Sequence, residues 1–128
     1  MNKEGHFIGT WQGDKHDVEV NLVLIIFEEE GIQVAYCPAL EVSGYGAAEN
    51  EALDSFNISL GEFLQYTINK KTLREEMQRM GWTIKKSKTK PMIPPSMEKL
   101  LQTNENFNRV FNNYPFRKIN RSVFLPAS

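Results

Sequence analysis

Two alternating apolar runs on either side of a short polar reversal set the firmest limit on how this chain can fold. Val18, Val20, Leu22, Leu24 and Ile26 alternate with Glu19, Asn21, Val23, Ile25 and Phe27. After Glu28-Glu29-Glu30-Gly31 the alternation resumes, with Ile32, Val34 and Tyr36 set against Gln33, Ala35 and Cys37. A period of two sends successive side chains to opposite faces of a sheet, so the pattern predicts a β-hairpin. The first run is polar on one side at its start and apolar on both sides at its end. That predicts a strand half-buried at first and then covered on both faces. Gly31 supplies the positive φ that a tight reversal needs. Residues 1–16 are polar with isolated aromatics (Phe7, Trp11) and carry only a weak edge-strand pattern.

Pro38 has no amide hydrogen, so ladder pairing is expected to stop at Cys37. Val42 to Tyr45 predicts a short third strand, bounded by Gly44 and Gly46. Ala52, Leu53, Phe56, Leu60, Phe63, Leu64 and Ile68 then fall at helical spacing, a stripe suited to lie on a sheet. Glu49 and Glu51 at its start and Lys70 and Lys71 at its end both suit the helix dipole. Thr72, with Glu75 three residues on, predicts a capped second helix with Leu73, Met77 and Met80 inward, stopped by Gly81. Trp82-Thr83-Ile84 reads as a fourth strand, which gives the order β-β-β-α-α-β. The prolines of 87–95 mark an extended linker. Ser96 caps a further helix whose apolar side is Met97, Leu100, Leu101, Phe107, Val110 and Phe111, broken at Tyr114-Pro115. Ile119, Arg121, Val123 and Leu125 alternate as a strand without a hairpin partner, so it joins the sheet, another copy of the chain, or nothing. The expected organisation is therefore an α+β domain over 1–86 (core 18–86), a linker over 87–95, and a C-terminal helix and strand over 96–128. The apolar sides of that last segment predict an oligomerisation element.

At 128 residues, 41% hydrophobic and 24% charged, the chain matches one globular domain with a single core. No apolar stretch approaches the ~20 residues of a membrane span. The N-terminus lacks the apolar core of a signal peptide, and one cysteine cannot close an intramolecular disulfide; both fit a reducing, cytoplasmic setting. The net charge of −1 conceals a division: residues 1–69 hold 2 Lys/Arg against 12 Asp/Glu, a net of −10, and residues 70–128 hold 13 against 4, a net of +9. Either the chain meets a charged partner, or the two signs intersperse once it folds.

Chemistry-bearing patterns are few. A nucleophilic Cys37 needs a base such as His, but His6 and His16 both lie in the weakly patterned N-terminal stretch; a packed small side chain is the better reading. One Cys and two His without close spacing give no metal motif. Glycine-rich phosphate loops are absent, and "SGYGAAENEAL" places acids where a phosphate would sit. Neither a catalytic set nor a cofactor is therefore expected. The segment 70–90 is basic, with Lys70, Lys71, Arg74, Arg79, Lys85 and Lys86 as candidate nucleic-acid contacts and Trp82 interleaved as a stacking platform or, alternatively, a core anchor.

In the stretch Tyr36-Cys37-Pro38-Ala39-Leu40, then Gly46, then Glu51-Ala52-Leu53, the chain resembles the HicB family of type II antitoxins. Members run from a strand through an aromatic-x-Pro-x-Leu corner to a glycine and a helix opening with an acidic, Ala-Leu string. The resemblance covers roughly residues 18–86 and departs from the pattern in three places. Glu41-Val42 stands where Pro-Gly is common, Ala48 stands at the helix cap, and "INRSVFLPAS" matches only the opening strand of a ribbon-helix-helix. An atypical member without a complete C-terminal DNA-binding module is expected. The resemblance implies a small RNase H-like β-β-β-α-β domain: a three-stranded antiparallel sheet plus a further strand, with one long helix packed on it. It also implies a bacterial, homodimeric or higher assembly that binds a HicA-like toxin, a small basic mRNA interferase, and occludes its RNA-binding surface. Nuclease activity does not carry over, because the spaced acidic cluster it needs is not evident. The alternatives are an orphan protein- or RNA-binding domain with no toxin partner and, more remotely, a degenerate nuclease.

Overall fold

A computed structural model describes residues 17–85 and 92–126. Expectations placed on residues 1–16, on Lys86 and on most of the 87–95 linker lie outside the described residues. The chain runs β1 (Asp17–Glu29), β2 (Ile32–Cys37), β3 (Val42–Gly46), α1 (Glu49–Asn69), α2 (Leu73–Arg79), β4 (Thr83–Ile84), β5 (Met92–Ile93), α3 (Met97–Thr103), α4 (Glu105–Asn113) and β6 (Phe116–Pro126). It is an α+β architecture built on a four-stranded antiparallel sheet of order β3-β2-β1-β6.

The hairpin forms, with Phe27 opposite Val34 and Glu29 opposite Ile32. That leaves a two-residue loop in which Glu30 (φ 53°) and Gly31 (φ 80°) both take positive φ. Two positive-φ residues are what a tight hairpin turn matched to strand twist requires. Pairing of β2 ends at Cys37, as Pro38 demands. The C-terminal strand takes the open place in the sheet: β6 lies antiparallel along β1 from Phe27↔Phe116 to Asp17↔Pro126.

Each face of the sheet carries a helical layer. Ile26, Ala35, Gly44 and Arg117 share one cross-strand row, and Leu22 and Arg121 share another on the same face. From these rows Arg117 donates to Glu49 and Arg121 to Asn57 at 3.0 Å, both on α1, so α1 covers this face. Phe27, Val34 and Phe116 occupy the opposite face. There Phe27 meets Tyr114 at a ring separation of 5.2 Å, and Phe116 meets Phe111 of α4 at 5.4 Å. Both sets join one core, in which Leu24, Ile25, Ile26 and Phe27 are all buried.

Three expectations need correction. Thr83–Ile84 is the fourth strand in chain order, as expected, but the 87–95 linker is not wholly extended chain: its Met92–Ile93 pairs with Thr83–Ile84 as a separate two-stranded ribbon. The single helix expected over 97–111 is two helices, divided at Asn104, which caps the second by accepting from the Phe107 amide at 3.0 Å. Finally, most of the apolar side of 97–111 and 118–125 is covered within the chain, where Leu100, Phe107, Val110, Val123 and Leu125 are buried, while Phe111 stays 42% exposed.

The tightest fit in the fold is α1 on β3. A Cβ added to Gly44 would stand 2.6 Å from the Phe56 Cα and closer still to the Phe56 amide and the Ala52 carbonyl, all of them backbone. Gly44→Ala is expected to cost at least about 3 kcal/mol and to lower Tm by about 10 °C or more. Gly31→Ala meets nothing within 4 Å and suffers only its positive φ, for about 1–2 kcal/mol. Thermal and urea denaturation of the two variants measures the difference; equal losses would refute the close approach.

Candidate functional site

The corner after β2 is closed by a polar network that sequence patterning does not reveal. Glu41 is held at φ 55° and its carboxylate accepts from the Tyr36 hydroxyl and from Asn104 Nδ2. The same Asn104 nitrogen lies 3.3 Å from the Tyr36 hydroxyl and 3.4 Å from the Pro38 carbonyl. Since Asn104 Oδ1 also caps α4, one side chain fixes the break between α3 and α4 and ties it to the corner. Burial, and then the bond to Glu41, raises the Tyr36 phenol above its ordinary value. A cleft of about 760 Å³ opens beside this network, with Arg79, Lys99 and Glu105 on its walls.

Cys37 sits behind that corner at 0% exposure. Burial pushes its thiol from an ordinary 9.0 up to about 12, so the thiolate needed for nucleophilic chemistry does not form near neutrality. Among the described residues no group of three or more His, Cys, Asp or Glu is placed to hold a metal ion.

The family-motif residues form a mutually dependent set. Ala48 does stand at the cap of α1 without a side-chain bond, while Glu51 accepts from the Ala47 amide at 2.9 Å and so ties the residue before the cap to the first turn. A Cβ on Gly46 would lie 2.5 Å from Glu51 Cβ and 2.7 Å from the Ala52 nitrogen, so this position needs glycine. Leu40 and Ala52 are buried, and Leu53 packs against the core at its edge.

The candidate nucleic-acid residues fare differently. Lys70, Lys71, Arg74, Arg79 and Lys85 are exposed, and Lys86 lies outside the described residues. Arg79 is bound to Glu76 at 2.6 Å, and Lys70 Nζ stands 5.9 Å from the centre of the Tyr66 ring. Trp82 is only 4% exposed and its Nε1 donates to the Ala39 carbonyl at 2.7 Å. It is a core anchor under the corner, the second of the two readings the sequence offered for it.

What sequence reasoning missed lies along the outer side of β3. Tyr45 and Tyr66 are 59% and 63% exposed, and with Glu41, Ser43, Ser59 and Glu62 they line a shallow groove of about 490 Å³ between β3 and α1. A signal was present: Ile58, Glu62 and Tyr66 lie four residues apart on α1, off the apolar stripe that packs inward.

The halves of opposite charge also meet within the fold. Arg109 pairs with Glu29 at 3.4 Å, and Arg117 pairs with Glu49. No family model, curated protein or solved structure matches the chain.

Two outcomes follow for the corner. Asn104→Ala is expected to cost about 2 kcal/mol in chemical denaturation, because it removes a helix cap and the ties to Glu41 and Pro38; Asn104→Ser should recover the cap share alone. For Cys37 the native state keeps its proton above the pH at which the unfolded chain releases it. Stability is therefore unaffected by this group below its ordinary 9.0 and falls as pH rises from there towards about 12. The buried Tyr36 acts in the same direction. Denaturation midpoints should drop over this alkaline window, less steeply in Cys37→Ala, and thiol reagents should leave the folded protein unlabelled at pH 8. Rapid labelling there would contradict the burial.

Proposed function

We propose that this chain is a HicB-like, non-catalytic antitoxin-type protein that acts in the cytoplasm by covering a small basic mRNA interferase. The observation that carries the reading is the acidic, tyrosine-lined groove along β3. Glu41 and Glu62 give it negative charge, and the rings of Tyr45 and Tyr66 give it exposed, stiff contact area. Aromatic side chains of this kind are enriched at protein–protein interfaces, and opposite charge steers a basic partner toward them.

The folded corner supports the same reading. Pro38, the glycines of β3 and the start of α1 are arranged so that a helix lies flat against a short edge strand, which is the outline the family resemblance implies. The chain departs from that outline in its last strand: β6, rather than the strand after α2, occupies the place beside β1. The carboxylates near the groove are engaged in structure or lie singly along a helix. Glu41 holds the corner and Glu51 accepts from the Ala47 amide just before α1, so a role in binding suits them better than a role in hydrolysis.

Covering a toxin in this way needs no covalent step. A basic RNA-binding surface seated on the groove would lose access to its substrate, and the strength of the complex would fall with salt. Purification of the tagged chain from its native host is expected to recover a small basic protein whose RNA cleavage ceases once the chain is added back at equal concentration. Recovery of RNA instead, without inhibition of any interferase, would favour an orphan RNA-binding domain and overturn this reading.

A further inference from the structure

We infer that the β3–α1 groove is a receptor for an arginine side chain of the partner, with the guanidinium lodged against the Tyr45 and Tyr66 rings and forked onto Glu62. This deepens the reading above and rests on it only for the partner's identity, not for the chemistry of the groove. Three observations converge on that chemistry. Both rings are more than half exposed and line one concave surface of about 490 Å³ with two carboxylates; no Lys or Arg is among its lining residues. The Tyr66 ring already draws a cation, since Lys70 Nζ stands 5.9 Å from its centre, within the range of cation–π attraction. The edge of β3 is partly closed to an added strand, because the Tyr45 amide donates to Ser55 Oγ at 3.1 Å. Recognition therefore falls to side chains rather than to strand addition.

The division of labour between the two acids favours a guanidinium over an ammonium. Glu41 is committed to Tyr36 and Asn104, whereas Glu62 has no ion-pair or hydrogen-bond partner among the described residues. A single available carboxylate beside two aromatic rings matches a planar cation that stacks and donates two parallel hydrogen bonds at once. A lysine ammonium, a compact and strongly hydrated charge, can use only part of that arrangement.

The test uses the full chain and an amidated Gly-Arg-Gly-Arg-Gly peptide, followed by NMR titration at low salt. Saturable shifts confined to Tyr45, Ser59, Glu62 and Tyr66 are expected, with binding weakened about threefold or more by Lys in place of Arg. Replacement of Arg by citrulline, which keeps shape and removes charge, should abolish it. Glu62→Lys, checked for unchanged Tm, should weaken binding at least about tenfold, and Tyr66→Ala should weaken it as well. Equal binding of the citrulline peptide, shifts that map elsewhere, or an unaffected Glu62→Lys protein would each overturn the inference. The two proposals can fail separately. A chain that binds the arginine peptide but inhibits no interferase removes the antitoxin reading and leaves the groove's chemistry standing. Inhibition of an interferase that Glu62→Lys retains in full removes the groove assignment alone.

Discussion

A strand in the middle of an antiparallel sheet has two faces to cover, and in β1 the residues Leu24, Ile25, Ile26 and Phe27 are each at 5% exposure or less. Each such side chain contributes about 1.5–3 kcal/mol when withdrawn from water, but only if both faces are roofed. One hairpin and one helix cannot do this. The helix α1 roofs the side carrying Leu24 and Ile26, and the segment from Ser96 to Tyr114 roofs the side carrying Ile25 and Phe27. The remaining elements serve that requirement. Trp82 and Met92 close the lower margin of the core, and β6 seals the side of β1 that β2 leaves unpaired.

The corner at Cys37–Glu41 is where the two layers are brought into register. Its geometry is fixed on one side by the α1–β3 approach at Gly44 and on the other by Asn104, which reaches from the break between α3 and α4 to Glu41. A bend that touches both layers has little freedom to move. The groove outside β3 inherits that rigidity: Glu41 and Tyr45 stand on the corner and its strand, and Ser59, Glu62 and Tyr66 on the helix clamped against them. A docking surface held on fixed elements forfeits little conformational entropy when a partner binds.

How much of this could be read in the sequence depended on whether a residue's partner was near it in the chain. The hairpin was legible because its pattern, period two on both sides of a reversal, is local. So was α1, whose stripe repeats over five turns, and so was the Ser96 cap, where Ser96 Oγ accepts from the Lys99 amide at 3.1 Å. Thr72 shows the limit of such signals: it holds the cap position of α2, yet its side chain makes no capping bond. The place of β6 was not legible, since a lone alternating strand says nothing of which edge it joins. Nor was Asn104, whose contacts with Tyr36 and Glu41 span more than sixty positions. Which sheet Thr83–Ile84 would join was not legible either, because two residues of strand propensity fit a small ribbon as well as a large sheet.

The unequal charge of the two halves acquires a different meaning in three dimensions. Acidic Glu29 and Glu49 from the first half meet Arg109 and Arg117 from the second, and Arg121 reaches Asn57 on α1. The two ion pairs are exposed, so each adds at most about 1 kcal/mol. Their effect is in matching: they favour the arrangement in which β6 and α4 dock on the acidic N-terminal elements, and disfavour others. Glu62, four residues after Ile58 and four before Tyr66, lies on the outer face of α1 and lines the groove, with no ion-pair partner among the described residues. Its carboxylate takes no part in the pairing that sets β6 and α4 against the acidic N-terminal elements.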